Sequence, residues 1–286
     1  MTTADDTAPL SVQPDAGDGA GVGAGATPAP TRRVLCFGHR GARGHAPENT
    51  LLAFDLAFDL GADAIECDVQ CSHDGQPVII HDGTVDRTTN GSGLVSMLSF
   101  AELRALNAGR GATLPQSIPT LEETLDVVRR RGGQLNLEIK GESVEEATGT
   151  SLAVEPYLRA LEGDQGRRIL VSSFAHPAIA VLKERLPWLR VGALFSGSEW
   201  RRQDMLAAAQ ALGAEAIHPS VRLTESALVQ RAHAAGLRVN VWTANRRSTI
   251  ARLIEWGVDG LFTDYPERVI IARAQLWARL GRPAPE

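Results

Sequence analysis

Phe37–Gly93 reads FGHRGARGHAPENTLLAFDLAFDLGADAIECDVQCSHDGQPVIIHDGTVDRTTNGSG, and it sets His39, His81, Arg40 and several carboxylates around short apolar runs. The apolar run Val34–Phe37 stops at Gly38, His39, Arg40 and Gly41, where a buried strand surfaces into a loop. In an α/β protein that is where chemistry sits. The next strand, Ala64–Cys71, carries Glu66 and Asp68 two apart, and a period of two puts both carboxylates on one face. Like charges side by side repel unless a cation lies between them or one is protonated. An Asp-Gly turn at Asp74 and Gly75 then returns the chain as Pro77–Ile80. If those two residues are the whole loop, Asp68 lies opposite His81.

Outward from this stretch, strands and helices alternate. Nine strand candidates are expected: Val34–Phe37, Ala64–Cys71, Pro77–Ile80, Gln134–Lys140, Ile169–Ser172, Arg190–Leu194, Ala216–His218, Arg238–Trp242 and Asp259–Thr263. A two-residue turn joins only antiparallel neighbours, so Pro77–Ile80 is the surplus one. Eight parallel strands, each followed by a helix, make the α/β class with a (β/α)8 TIM barrel; an open doubly wound sheet is the alternative. Helices are expected at about Glu48–Leu60, with Pro47 and Gly61 as punctuation, and from a capping box at Thr120 and Glu123 to about Arg130. Residues 1–32, rich in Ala, Gly, Pro, Thr and Asp, read as a disordered tail, 33–280 as the barrel and 82–117 as a short insertion after the second barrel strand.

The formal net charge is -5 with no basic block, which gives no reason to expect nucleic acid as a partner. No stretch is long and apolar enough for a membrane span. Three cysteines, Cys36, Cys67 and Cys71, offer no disulfide framework; Cys67 and Cys71 have the parity that faces the helical layer, so buried apolar thiols rather than a three-cysteine metal site are expected, and the chain reads as cytoplasmic. Oligomeric state is not legible.

Glu138 and Lys140 share strand parity with Asn136 in QLNLEIK, so three polar groups line one face. Three carboxylates with no histidine at ligand spacing suit a hard divalent cation, Mg²⁺ or Ca²⁺, rather than zinc. A salt-bridge network with Arg40 and Lys140 is the competing reading. His39 and His81 titrate in the range needed to move protons in general acid–base catalysis. His45, His73, His176, His218 and His233 read as surface or core residues, His218 as a rim contact at most. Glu48 and Asn49 cap a helix, orient His39 or touch a bound ligand; Asp86 and Arg87 read as an ion pair.

The ordered set HRG (His39–Gly41), PENT (Pro47–Thr50), ECDV (Glu66–Val69), IIHD (Ile79–Asp82), DRTTNGSG from Asp86, LEIK (Leu137–Lys140), VWTAN (Val241–Asn245) and GVDGLFTDYP (Gly257–Pro266) resembles the glycerophosphodiester phosphodiesterases. The resemblance implies a soluble, metal-dependent hydrolase releasing an alcohol and sn-glycerol 3-phosphate from a small-molecule glycerophosphodiester. It implies Glu66, Asp68 and Glu138 as ligands of one divalent cation, and His39 and His81 as acid and base without saying which is which. Arg40 and Lys140 would hold phosphate oxygens, Trp242 and Asn49 would contact substrate, and the insertion would shape access over the barrel mouth. A phospholipase D-like enzyme on lysophospholipid or sphingomyelin is the alternative activity. A non-catalytic phosphate-binding module is the alternative outside enzymes, and it would have shed at least one of the two histidines and three carboxylates, all of which are present.

Overall fold

The computed structural model describes residues 33–110, 112–197, 200 and 202–281; the expected tail, residues 1–32, lies outside them. Eight parallel strands close on themselves: β1 (Leu35–Gly38), β2 (Ala64–Cys71), β4 (Gln134–Ile139), β5 (Ile169–Ser173), β6 (Arg190–Phe195), β7 (Ala216–Pro219), β8 (Arg238–Val241) and β9 (Gly260–Thr263). β1 pairs with both β9 and β2, which makes a closed (β/α)8 barrel and rules out the open sheet. The surplus strand, β3 (Pro77–Ile79), pairs antiparallel with β2.

β2 serves two pairings because it is long. Ala64 and Ile65 close the ring against β1, Ala64 to Val69 pair with β4, and Val69 to Cys71 run beyond the ring to pair with β3. The hairpin register differs from the expected one. Val69 faces Ile79, and Ile80 N donates to Asp68 O at 2.9 Å, so Asp68 lies opposite Ile80 and not His81. The loop has three residues, His73, Asp74 and Gly75, closed by Ser72 N donating to Gln76 O at 3.0 Å, and Gly75 takes φ 75°. A turn ending in a left-handed glycine takes one residue more than the two-residue turn.

Helices cover the barrel: α1 (Leu51–Asp59), then α2 (Phe100–Ala105) in the insertion, α3 (Leu121–Arg131), α4 (Val144–Arg159), α5 (His176–Arg185), α6 (Arg202–Ala211), α7 (Ser226–Ala234), α8 (Arg247–Glu255) and α9 (Pro266–Arg279). α3 has the expected capping box, Thr120 with Glu123. α1 starts three residues later than expected. Asn49 has φ 54°, which no helix accommodates, and Thr50 is the cap, its Oγ1 accepting from Ala53 N at 3.2 Å. Pro47 and Glu48 are thereby left in the loop at the barrel mouth.

The main core lies between strands and helices and includes Cys36 and Cys67, as strand parity requires. Burial pushes all three thiols up, so they are inert apolar groups. Val78, Ile80, Val85, Val95, Leu103, Ala108 and Ile118 form a separate small core that steadies the insertion. Among the described residues no helix is long and apolar enough to cross a membrane.

Candidate active site

The strand ends converge on a cavity of about 210 Å³ lined by His39, Arg40, Glu66, His81, Asn136 and Glu138, with Lys140 beside them and Phe174, Leu194, Trp242 and Phe262 as an apolar wall. The residues come from opposite ends of the chain. Parallel strands put all their carboxyl ends on one side, so they meet there.

Glu66 and Asp68 on β2 and Glu138 on β4 each offer an oxygen, and these lie within 4.8 Å of one another. The register explains it: Asp68 is the cross-strand partner of Glu138, and Glu66 of Asn136. Burial and the charges of Asp68 and Glu138 push Glu66 well above the usual carboxylate range. Burial likewise raises Glu138 to about 7, against the pull of Lys140. Asp68 goes the other way, because Arg40, Lys140 and His81 outweigh its burial. Glu66 Oε1 and Asn136 Oδ1 are buried acceptors with no donor among the described residues. An uncompensated buried acceptor is costly, and a cation relieves both the orphan oxygen and the carboxylate crowding. The trio and its all-oxygen chemistry therefore fit a hard divalent ion.

Arg40 is the hinge of the first loop. It takes φ 53°, its N donates to Glu66 Oε2 at 2.7 Å, its Nη1 donates to Glu48 Oε1 at 2.7 Å, and its Nε lies 3.4 Å from Asp68 Oδ2. Asn49 turns its amide onto Asp68, with Nδ2 donating to Oδ2 at 2.8 Å. This hydrogen bond orients Asp68, whose oxygen belongs to the carboxylate cluster. Glu48 neither caps the helix nor touches His39; it bridges Arg40 and Arg87. Arg87 also grips Asp82, while Asp86 accepts from Gly93 N, so the expected Asp86–Arg87 pair does not form.

Each histidine has a carboxylate behind it. His39 Nδ1 lies 2.7 Å from Asp264 Oδ1, and His81 Nδ1 lies 2.7 Å from Asp82 Oδ1. With Nδ1–H donating to a carboxylate, Nε2 of each ring is the nitrogen turned away from that carboxylate, and at His81 it lies within reach of Lys140. Burial holds both imidazoles below the usual histidine value, with Arg40 adding to it at His39 and Lys140 and Arg40 at His81. Lys140 Nζ lies 3.2 Å from His81 Nε2 and donates to Glu138 Oε1 at 3.1 Å. His81 reaches this position despite the shifted register because Gln70 Nε2 gathers the carbonyls of Ile80, His81 and Asp82 at 3.1, 3.0 and 2.7 Å, bending the chain inward.

The sequence motifs matched over residues 39–268 are those of the glycerophosphoryl diester phosphodiesterase family. The chain belongs to that family. It is 35% identical over 245 residues to the glycerophosphodiester phosphodiesterase of Caldanaerobacter subterraneus subsp. tengcongensis, covering 83% of this chain and 97% of the relative. It is 33% identical over 247 residues to that of Bacillus altitudinis, covering 84% and 98%. Its fold superposes on an Oleispira antarctica phosphodiesterase solved in complex with the product sn-glycerol-3-phosphate, with a TM-score of 0.74, 33% identity and coverage of 83% and 96%. This family member is therefore an enzyme, a phosphoric diester hydrolase.

Within the phosphodiesterase site, several residues were missed by sequence reading. Asp264 and Asn245 lie in the quoted strings GLFTDYP and VWTAN, at strand ends where a (β/α)8 barrel keeps active groups, so their position was a usable signal. Gln70 and Phe174 carried no such signal. Trp242 lines the cavity edge-on to Phe174, with Nε1 donating to His218 O at 2.7 Å. His218 is no rim residue: it is wholly buried inside the barrel against Phe262, with Asn240 Nδ2 at 3.0 Å.

Proposed function

We propose that the chain hydrolyses glycerophosphodiesters to an alcohol and sn-glycerol 3-phosphate, with Glu66, Asp68 and Glu138 holding one divalent cation, Mg²⁺ or Ca²⁺, and His39 and His81 moving the protons. The observation that carries this reading is the meeting of a three-carboxylate cluster and two carboxylate-backed imidazoles on one cavity. The product held by the Oleispira antarctica relative supports the substrate class.

Hydrolysis of a phosphodiester takes a proton from the attacking oxygen and returns one to the leaving alkoxide. One imidazole Nε2 accepts the first proton and the other, as imidazolium, supplies the second. The attacking oxygen is water, or the glycerol hydroxyl beside the ester, in which case water opens the cyclic phosphate afterwards. Asp264 and Asp82 fix each ring's tautomer and stabilise its protonated form. Arg40 and Lys140 neutralise the phosphoryl oxygens. When bound, the cation adds Lewis-acid stabilisation of the charge that grows on those oxygens. Asn49 keeps Asp68 in place, and Trp242 with Phe174 offers a flat apolar wall for the substrate's carbon atoms. Free thiols at all three cysteines fit a reducing compartment, and the cytoplasm is part of this reading.

The test is hydrolysis of glycerophosphocholine by chelator-stripped protein, with Mg²⁺, Ca²⁺ or Mn²⁺ restored and glycerol 3-phosphate assayed. Cation-dependent release is the expected result. Inactivity on every glycerophosphodiester, with turnover of lysophospholipid instead, would overturn the substrate assignment.

A further inference from the structure

A second hollow, of about 410 Å³, opens between the loop after β1 and the insertion, with Arg43, His45, Glu48, Arg87 and Arg110 as its polar walls. It backs directly onto the catalytic cavity. One atom, Glu48 Oε1, accepts from Arg40 Nη1 and from Arg87 Nη2, both at 2.7 Å, and Arg40 lines the first cavity while Arg87 lines the second. Arg43 Nε lies 3.6 Å from Asp264 Oδ1, the oxygen that orients His39. The two hollows are thus a single carboxylate apart.

The cationic groups of the second hollow are not all spoken for. Arg87 is saturated by Glu48 and Asp82. Glu48, the one carboxylate in the lining, is already shared between Arg40 and Arg87, and His45 leans on Glu267 at 3.2 Å. Arg43 approaches Glu48 and Asp264 only at 3.9 and 3.6 Å. Among the described residues Arg110 reaches two carbonyls, of Asp86 at 3.3 Å and Arg87 at 3.4 Å. Among the described residues, two guanidinium forks with donors to spare therefore face one hollow, in a chain whose formal net charge is -5.

We propose that this hollow is a subsite for a second anionic group, a phosphate monoester, carried by the alcohol part of the substrate. A planar fork matches the oxygens of a phosphate better than a point charge does. The arrangement would let one molecule place its diester against Arg40 and its outlying phosphate against Arg43 and Arg110. This assignment rests on the glycerophosphodiesterase reading above and adds the substrate class that it favours.

The experiment compares glycerophosphocholine, glycerophosphoinositol and glycerophosphoinositol 4-phosphate at one ionic strength, with wild type, Arg110→Gln and the double variant Arg43→Gln/Arg110→Gln. Wild type should show a KM for the 4-phosphate lower by roughly five- to tenfold, the scale of one or two half-exposed ion pairs. Arg110→Gln should shrink that preference and leave glycerophosphocholine turnover unchanged, and the double variant should abolish it. Equal KM values for all three substrates, or a preference that survives in the double variant, would overturn the subsite. Should none be hydrolysed, the hydrolase reading fails separately, and calorimetric titration with the same compounds decides the subsite. Tighter binding of the 4-phosphate by wild type alone upholds it; equal binding by wild type and double variant overturns it.

Discussion

His39 Nδ1 sits 2.7 Å from Asp264 Oδ1, and the other oxygen of that carboxylate accepts from Asn245 Nδ2 at 2.7 Å. The relay joins the first strand end to the last, across the seam where β1 meets β9. Closing the barrel and aiming His39 are thus one event.

Replacing Asp264 with Asn keeps the size and removes the charge that holds Nδ1–H. Asp264→Asn should lower kcat by on the order of 10²-fold or more, with KM and thermal melting little changed. Wild-type kcat would reduce Asp264 to a structural role.

The acid side of the pH profile follows from the two imidazoles. Both are held below the ordinary value of 6.5, so the neutral base persists as pH falls to that value, and kcat/KM should decline only at lower pH. Measurement at saturating cation checks this; an acid limb centred above pH 7 would contradict the burial argument.

His218 ties stability to pH. Burial lowers it to about 3, below its unfolded value, so on acidification the unfolded chain takes up the proton first. The contribution of His218 is therefore intact above about pH 6.5 and lost as pH falls towards 3, at about 1.4 kcal/mol per pH unit. Denaturant midpoints between pH 7 and 4 should fall more steeply for wild type than for His218→Gln. Parallel curves would show that the ring is solvated.

Glu66→Gln separates charge crowding from cation binding. Without added cation the variant should melt higher than wild type, because the buried wild-type carboxyl must take up a proton on folding or crowd two other carboxylates, and the amide does neither. The rise in melting temperature that Mg²⁺ or Ca²⁺ produces should shrink, and calorimetric affinity should drop. Undiminished affinity would remove Glu66 from the ligand set.

Lys140→Met removes the cation shared by Glu138 and His81. A higher KM or lower kcat for anionic substrates is expected, by roughly tenfold or more. Unaltered kinetics would leave Lys140 as a counter-ion only.

Much of this was legible in the sequence because barrel strands announce themselves. The parity of Glu66 and Asp68, and of Asn136 and Glu138, placed these groups on one face, and the cross-strand register then joined them. Where the reading slipped, the cause was local backbone geometry that residue identity does not expose. The left-handed turn at Asn49 shortened α1, and the three-residue loop at Gly75 moved the hairpin by one. His81 reached the cavity through Gln70, a contact with no pattern in the sequence. The relays to Asp264 and Asp82 depend on side-chain directions, and only coordinates supply those.

The double duty of β2 bears on how such enzymes diversify. Ring closure uses Ala64 and Ile65, whereas the excursion through β3 hangs from Val69 to Cys71 and has its own small core. Lengthening, trimming or exchanging that excursion leaves the scaffold's hydrogen-bonded circumference whole. His81 and Asp82 hang from the same excursion, so only the stretch beyond Asp82 can be remodelled, by lineages or by a protein engineer, while the cavity keeps both imidazoles.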